Sequence, residues 1–201
     1  MEYEAIVYMP TLKQFDSDKV LERAMNLFWE KGYNGTSIND LVNATGLSRS
    51  SLYATYIDKH ALFMAALKRY QELNGTWLAS RLEKYTSARD KIEAIFRMLV
   101  NATIENDYGK GCLMVNSATE MANQNKEIAR VASQDFAGME EMFYTLIKQG
   151  QANGEISKDH KARALAQFLF NNYIGLRVVG QTNQDKARLD AVVRMVMNVL
   201  E

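Results

Sequence analysis

Apolar positions recur every three or four residues along almost the whole chain, and no stretch keeps the strict alternation of a half-buried strand. That periodicity predicts an all-α fold of about nine helices. The first runs from about Asp16, a capping carboxylate with Asp18 in the first turn, to a stop at Gly32, with Val20, Leu21, Ala24 and Phe28 along one face. Ser37-Ile38-Asn39-Asp40 has the capping-box form and opens a short helix through Ala44, ended at Gly46. Ser48 caps a third short helix containing Leu52 and Tyr53, and Asp58 caps a long one carrying Leu62, Phe63, Ala66, Leu67, Tyr70, Trp77 and Leu78. Ser87 caps the next, with Ile92, Ile95, Phe96, Leu99 and Thr103 on one side, and the loop 106–111 precedes a short helix over about 113–122. A long helix over about 125–152 and two more near 160–181 and 185–200 complete the chain. The last bears Leu189, Val192, Val193, Val196 and Leu200, a narrow stripe suited to helix–helix packing.

Composition narrows the class. A chain of 201 residues buries enough surface to fold without staples, and 47% hydrophobic against 24% charged residues is the balance of a globular protein. No apolar run approaches the roughly 20 residues that span a bilayer, and the acidic start Met1-Glu2-Tyr3-Glu4 lacks the basic flank of a signal peptide. With one cysteine, Cys112, no internal disulfide is possible, and a cytoplasmic location is expected. Net charge does not announce nucleic acid: the whole chain is neutral, and six basic against eight acidic side chains leave residues 1–60 at −2. Any contact with DNA therefore depends on the placement of a few residues.

Residues 37–56, SINDLVNATGLSRSSLYATY, contain such a placement. Two short helices meet at a tight turn with Gly46 at its corner. Val42, four residues before that glycine, and Leu52, six after it, let them cross steeply over one small core, as in a helix-turn-helix. The outward positions of the second helix, Ser48, Arg49, Ser50, Ser51, Tyr53 and Thr55, are all donors, with no carboxylate among them. Small hydroxyls and free N–H groups at a helix N-terminus suit phosphate, Arg49 can take a guanine bidentately, and Lys59 can clamp the flanking backbone. The plainer alternative is a serine-rich turn that only caps a helix.

From Phe15 to Tyr70 the chain resembles the DNA-binding domain of the TetR/AcrR regulators. The likeness rests on Phe28-Trp29-Glu30-Lys31-Gly32-Tyr33, Gly35-Thr36-Ser37, Gly46-Leu47-Ser48-Arg49-Ser50-Ser51-Leu52-Tyr53, and Asp58-Lys59 followed by Leu62-Phe63. The remainder is similar more loosely, in helix number and in Gly111-Cys112-Leu113 and Gly175-Leu176-Arg177. The resemblance implies a repressor that binds a palindromic operator in double-stranded DNA as a homodimer and is released by a small apolar inducer. Residues 1–57 would read DNA, through Thr36, Ser37, Ser48, Arg49, Ser50, Ser51, Tyr53, Thr55 and Tyr56, joined by Lys59 at the start of the next helix, with Tyr53 and Lys59 largely on phosphate. One departure is the arm Met9-Pro10-Thr11-Leu12-Lys13-Gln14, which has a single basic residue where many relatives have several; a start at Met9 would remove Glu2 and Glu4.

Residues 58–201 would bind the inducer and dimerise. Their methionines and aromatics, Met98, Phe136, Met139, Met142 and Phe170 among them, suit an adaptable pocket or an ordinary core. The candidate pocket is Trp77, Phe96, Leu99, Thr103, Asn116, Glu120, Phe143 and Tyr173. Asn116, Glu120, Glu140 and Arg177 are the polar pointers, unless they lie on the surface or in internal hydrogen bonds. Ala164, Phe168, Gly175, Val178, Val192 and Val196 are the candidate dimer face. Catalysis has little to stand on: His60 and His160 lie far apart, and there is no metal-ligand spacing, phosphate loop or nucleophile elbow. No catalytic residue, metal, cofactor or membrane partner is expected. Two other readings stay open: a thiol sensor on the same fold, with Cys112 activated by a helix N-terminus and Lys110 rather than packed inertly, and a helical interaction protein that has lost DNA binding.

Overall fold

The computed structural model describes residues 16–105 and 110–201, and all the regular elements among them are α-helices. The N-terminal arm and residues 106–109 of the expected loop lie outside the described residues. The helices are α1 (Ser17–Lys31), α2 (Ile38–Thr45), α3 (Arg49–Tyr56), α4 (Lys59–Leu82), α5 (Ala88–Glu105), α6 (Leu113–Met121), α7 (Lys126–Asn153), α8 (Ala162–Val179) and α9 (Lys186–Asn198).

The local signals act as their chemistry requires. Asp16 caps α1 through the Lys19 N–H, and Ser37 and Asp40 make a reciprocal capping box, with Ser37 accepting from the Asp40 N–H at 3.1 Å and Asp40 from the Ser37 N–H at 2.9 Å. Ser48 caps α3 through the Ser51 N–H at 3.1 Å, and Asp58 caps α4 through the Ala61 N–H at 2.7 Å. Gly46 ends α2 at φ +74°, the left-handed conformation that only a residue without Cβ adopts freely.

Two apolar clusters organise the molecule. The first joins Phe28 of α1, Leu41 of α2 and Leu52 of α3 to Leu62, Phe63 and Leu67 of α4, and continues into Leu113 and Met114 of α6 and Ile128 of α7. The second packs α5, α7, α8 and α9 around Phe96, Phe143, Leu169 and Val193. The N-terminal three-helix head therefore shares its core with α6 and α7, and α4 runs from that core to the C-terminal cluster, where Leu78 and Leu82 pack. Ile57, between α3 and α4, is 80% exposed and sits at φ +64°, ψ −58°, where a β-branched side chain is strained.

Candidate DNA interface and ligand cleft

The helix-turn-helix is built by burying Leu41 of α2 and Leu52 of α3 against α1 and α4, with Thr45 also buried at the end of α2. With Leu52 the only buried residue of α3, its other faces turn outward: Ser48, Arg49, Ser50, Tyr53 and Thr55 are exposed, and Ser51 and Tyr56 are half-buried. Ser48 holds Ser50 and Ser51 by hydroxyl contacts of 3.0 and 2.9 Å, so the three hydroxyls form one polar tip at the start of α3. Arg49 donates to Asn39 Oδ1 of α2 at 3.0 Å, which leans the guanidinium across the gap between the two helices and leaves its other N–H groups outward. Ser37 is exposed at the start of α2. Lys59 is half-buried, with its ammonium 4.3 Å from the Tyr33 ring centroid; burial lowers its pKa and Glu120 works the other way. Burial, and then Asp18, push the Tyr56 phenol up, which keeps it a neutral donor.

Thr36 departs from expectation. Its side chain is 1% exposed and its hydroxyl donates to the Gly32 carbonyl at 2.7 Å, so it closes the α1–α2 turn and presents no donor outward.

Two adjoining clefts open in the C-terminal half. One, of about 640 Å³, lies among α4, α7 and α8 and is lined by Leu78, Leu82, Phe136, Met139, Met142 and Phe170 as well as Gln71 and Asp135. The other, of about 300 Å³, lies among α4, α5 and α8, with Trp29, Ile95, Leu99, Thr103 and Gln181 on its walls. Tyr70, Asn74, Trp77, Leu78, Tyr173 and Arg177 line both. Of the expected pocket, then, Trp77, Leu99, Thr103 and Tyr173 reach a cleft.

Four expected pocket residues do not. Phe96 and Phe143 are fully buried, packed with Tyr173 at ring-centroid separations of 6.1 Å each, and form the floor behind the cleft rather than its wall. Asn116 donates to the Lys110 carbonyl and accepts from Gln181 at 2.9 Å, a satisfied internal bond. Glu120 turns the other way, to the head, where it accepts the Tyr33 and Asn34 N–H groups at 2.9 and 2.7 Å. Glu140 pairs with Arg163 at 3.6 Å. Of the wall residues that the sequence leaves unassigned, Asn74 and Leu82 sit one and three turns into the half of α4 whose apolar periodicity is weak, so no stripe marks them.

Cys112 is buried at the N-terminus of α6 and makes no capping bond; it accepts the Tyr70 hydroxyl at 3.5 Å. Burial, with Cys112 beside it, pushes the Tyr70 phenol up. His60 pairs with Glu127 at 2.9 Å. Among the described residues no three His, Cys, Asp or Glu side chains gather as a metal site, and no helix is long and apolar enough to cross a membrane.

Outside, α8 and α9 carry an apolar face. Phe168, Val178, Val179 and Met195 are 40, 45, 38 and 63% exposed, Ala164 and Gly175 are exposed with open space where a Gly175 Cβ would stand, and Val192 is half-buried in a shallow hollow between the two helices. Val196 belongs instead to the protomer's own core at 1% exposure: the stripe on α9 faces α5, and the neighbouring Met195 takes the outward place.

Comparison with known proteins identifies the family to which this fold belongs. Residues 20–66 match the family described as bacterial regulatory proteins, tetR family, and residues 88–196 match the tetracyclin repressor-like C-terminal domain. The chain is 35% identical over 190 residues, 94% of its length and 98% of the relative's, to an uncharacterized HTH-type transcriptional regulator, YezE, of Bacillus subtilis (strain 168). It is 35% identical over 160 residues, 78% of this chain and 75% of the relative, to the HTH-type transcriptional repressor ComR of Escherichia coli (strain K12). Among solved structures, a cysteine mutant of the TetR family regulator CifR complexed with 26-bp double-strand operator DNA superposes with a TM-score of 0.84 at 28% identity, over 96% of this chain and 100% of that one.

Proposed function

The chain belongs to the tetR family of bacterial regulatory proteins, and from that premise we propose that it is a repressor whose two copies hold a palindromic operator until a small molecule enters the cleft beside α4. The observation that carries the reading is the continuity of α4: its first half is part of the head's core, and its second half lines both clefts with Tyr70, Asn74, Trp77 and Leu78. A ligand that displaces Trp77 or Leu78 therefore acts on the element that seats α3.

The division of labour places DNA reading in residues up to 57 and ligand binding and dimerisation in 58–201. Arg49, Ser50 and Thr55 are outward side chains of α3 and meet the major groove; Ser37, Ser48, Ser51, Tyr53, Tyr56 and Lys59 hold the phosphates on either side. Ala164, Phe168, Gly175, Val178, Val192 and Met195 pair with the same face of a second copy across a two-fold axis, as a four-helix bundle. A two-fold dimer presents two copies of α3 at one fixed spacing, so a small pivot of α4 is enough to break the fit to both half-sites. The ligand must bind the released form more tightly than the DNA-bound form, since equal affinity shifts nothing.

Selection of duplexes from a random pool, followed by anisotropy titration at physiological salt, tests this. Enrichment of an inverted repeat is expected, and equal binding to selected and scrambled duplexes would sink the reading.

A thiol sensor is the second reading. Its support is Cys112 on the wall of the larger cleft, and its weakness is burial of the sulfur beneath Tyr70. Oxidant-triggered release that a Cys112→Ser variant abolishes would favour it over a non-covalent ligand.

A further inference from the structure

Arg177 stands apart from the other arginines engaged in ion pairs. Arg69, Arg89, Arg97 and Arg163 each hold a carboxylate at 2.6–3.1 Å. Arg177 projects from α8 into the junction of the two clefts, and no described carboxylate pairs with it. One amino group donates to the Tyr173 hydroxyl at 2.7 Å, the guanidinium lies 5.0 Å from the centre of that ring, and its Nε is buried with no hydrogen-bond partner. A guanidinium has five donors and cannot shed its proton, so an enclosed one without a counter-ion is an unmet demand for an anion.

The surroundings define what would meet that demand. Arg177 is the only cation among the described lining residues of either cleft. The one carboxylate on those walls, Asp135, takes the Gln71 amide at 2.9 Å. Tyr173 and Tyr70 flank the guanidinium, while the larger cleft runs away from it over thioethers and aromatic rings, with a volume in the range of drug-sized pockets. A cation at one end and an apolar channel at the other fit an amphiphile rather than a uniformly apolar molecule.

We propose that the ligand of this cleft is an anionic amphiphile, its carboxylate forked on the Arg177 guanidinium and its apolar tail lying along Leu78, Leu82, Phe136, Met139, Met142 and Phe170. The inference rests on the reading of the cleft as the inducer site and names the inducer's chemical class. Planar bidentate pairing with carboxylate is the geometry in which arginine surpasses lysine. With one amino group held by the Tyr173 hydroxyl, the remaining guanidinium N–H groups are the donors left for the carboxylate.

Calorimetric titration of the full-length protein with decanoate, decanol and decyltrimethylammonium, each below its micelle concentration, tests the proposal. Decanoate should bind roughly tenfold to a hundredfold more tightly than decanol, the range of a hydrogen-bonded charge pair. Arg177→Met should bring decanoate down to the decanol level while decanol itself stays within about twofold, and Arg177→Lys should keep only part of the preference. Should Arg177→Met fail to fold, the decanoate-to-decanol ratio on the unchanged protein decides alone. Equal binding of decanoate and decanol, or tighter binding of the cation, overturns the anionic class and leaves the cleft as a site for neutral ligands. If none of the three binds, the proposal and the inducer reading of the cleft both fall.

Discussion

Glu120 ties the two halves of the molecule together, and cutting it has a predictable size. Its carboxylate, near the end of α6, accepts the Tyr33 and Asn34 N–H groups at 2.9 and 2.7 Å, in the turn that leads from α1 to α2. Gly32 is part of the same device: at φ +73°, a Cβ there would stand 2.8 Å from Glu120 Oε2. A hydrogen bond to a charged group contributes about 1.5–3 kcal/mol when sheltered, and water reaching the exposed Asn34 side halves at least one of the two. Glu120→Ala should therefore lower the unfolding free energy by about 2 kcal/mol, and Glu120→Gln, which keeps one acceptor, by about 1 kcal/mol. Urea unfolding followed by tryptophan fluorescence measures the loss. Operator anisotropy measures its consequence: because the link seats the head against the ligand half, affinity should fall, and the ratio of operator affinities with and without ligand should shrink toward one. A Glu120→Ala protein within about 0.5 kcal/mol of the unchanged chain, with its ligand response intact, would refute the reasoning.

Arg49→Ala should weaken the selected operator by about 1–3 kcal/mol and relax one base position, whereas Lys59→Ala should weaken all sequences alike and flatten the salt dependence; anisotropy titrations over a salt series separate the two. Met195→Glu or Phe168→Asp places a charge on an exposed apolar face and should yield monomers in sedimentation with little loss of protomer stability, while Val196→Asp, inside the core, should unfold the protomer. Ile57→Gly relieves a strained left-handed residue and should raise stability by about 1 kcal/mol in denaturant titration, more than the glycine's entropy removes.

How much of this was legible beforehand depends on how far apart the partners are in sequence. Helix starts and stops were readable because a cap speaks to amides two or three residues away: Asp16, Ser37, Ser48 and Asp58 each bond where the local pattern says. The outward face of α3 was readable for the same reason, since a helix that buries only Leu52 must turn the rest of its surface outward. Thr36 was misread because the same hydroxyl can serve DNA or a carbonyl four residues back, and only the closed turn chose the latter.

The cleft and the dimer face were decided by tertiary structure. Nothing near Glu120 in sequence says that its acceptors' partners lie 86 and 87 residues earlier, or that Phe96 and Phe143 pack behind Tyr173 while Met139 and Leu82 remain on a wall. Apolar side chains carry no directional signal, so a methionine or phenylalanine on a helix stripe reads alike whether it meets another helix or an opening. On α9 the one-residue choice between Val196 inside and Met195 outside follows from where α5 lies, a contact of high sequence separation that periodicity leaves free by about a third of a turn. Short-range hydrogen bonds are written into the sequence; which apolar surfaces are left uncovered is settled only when distant helices pack.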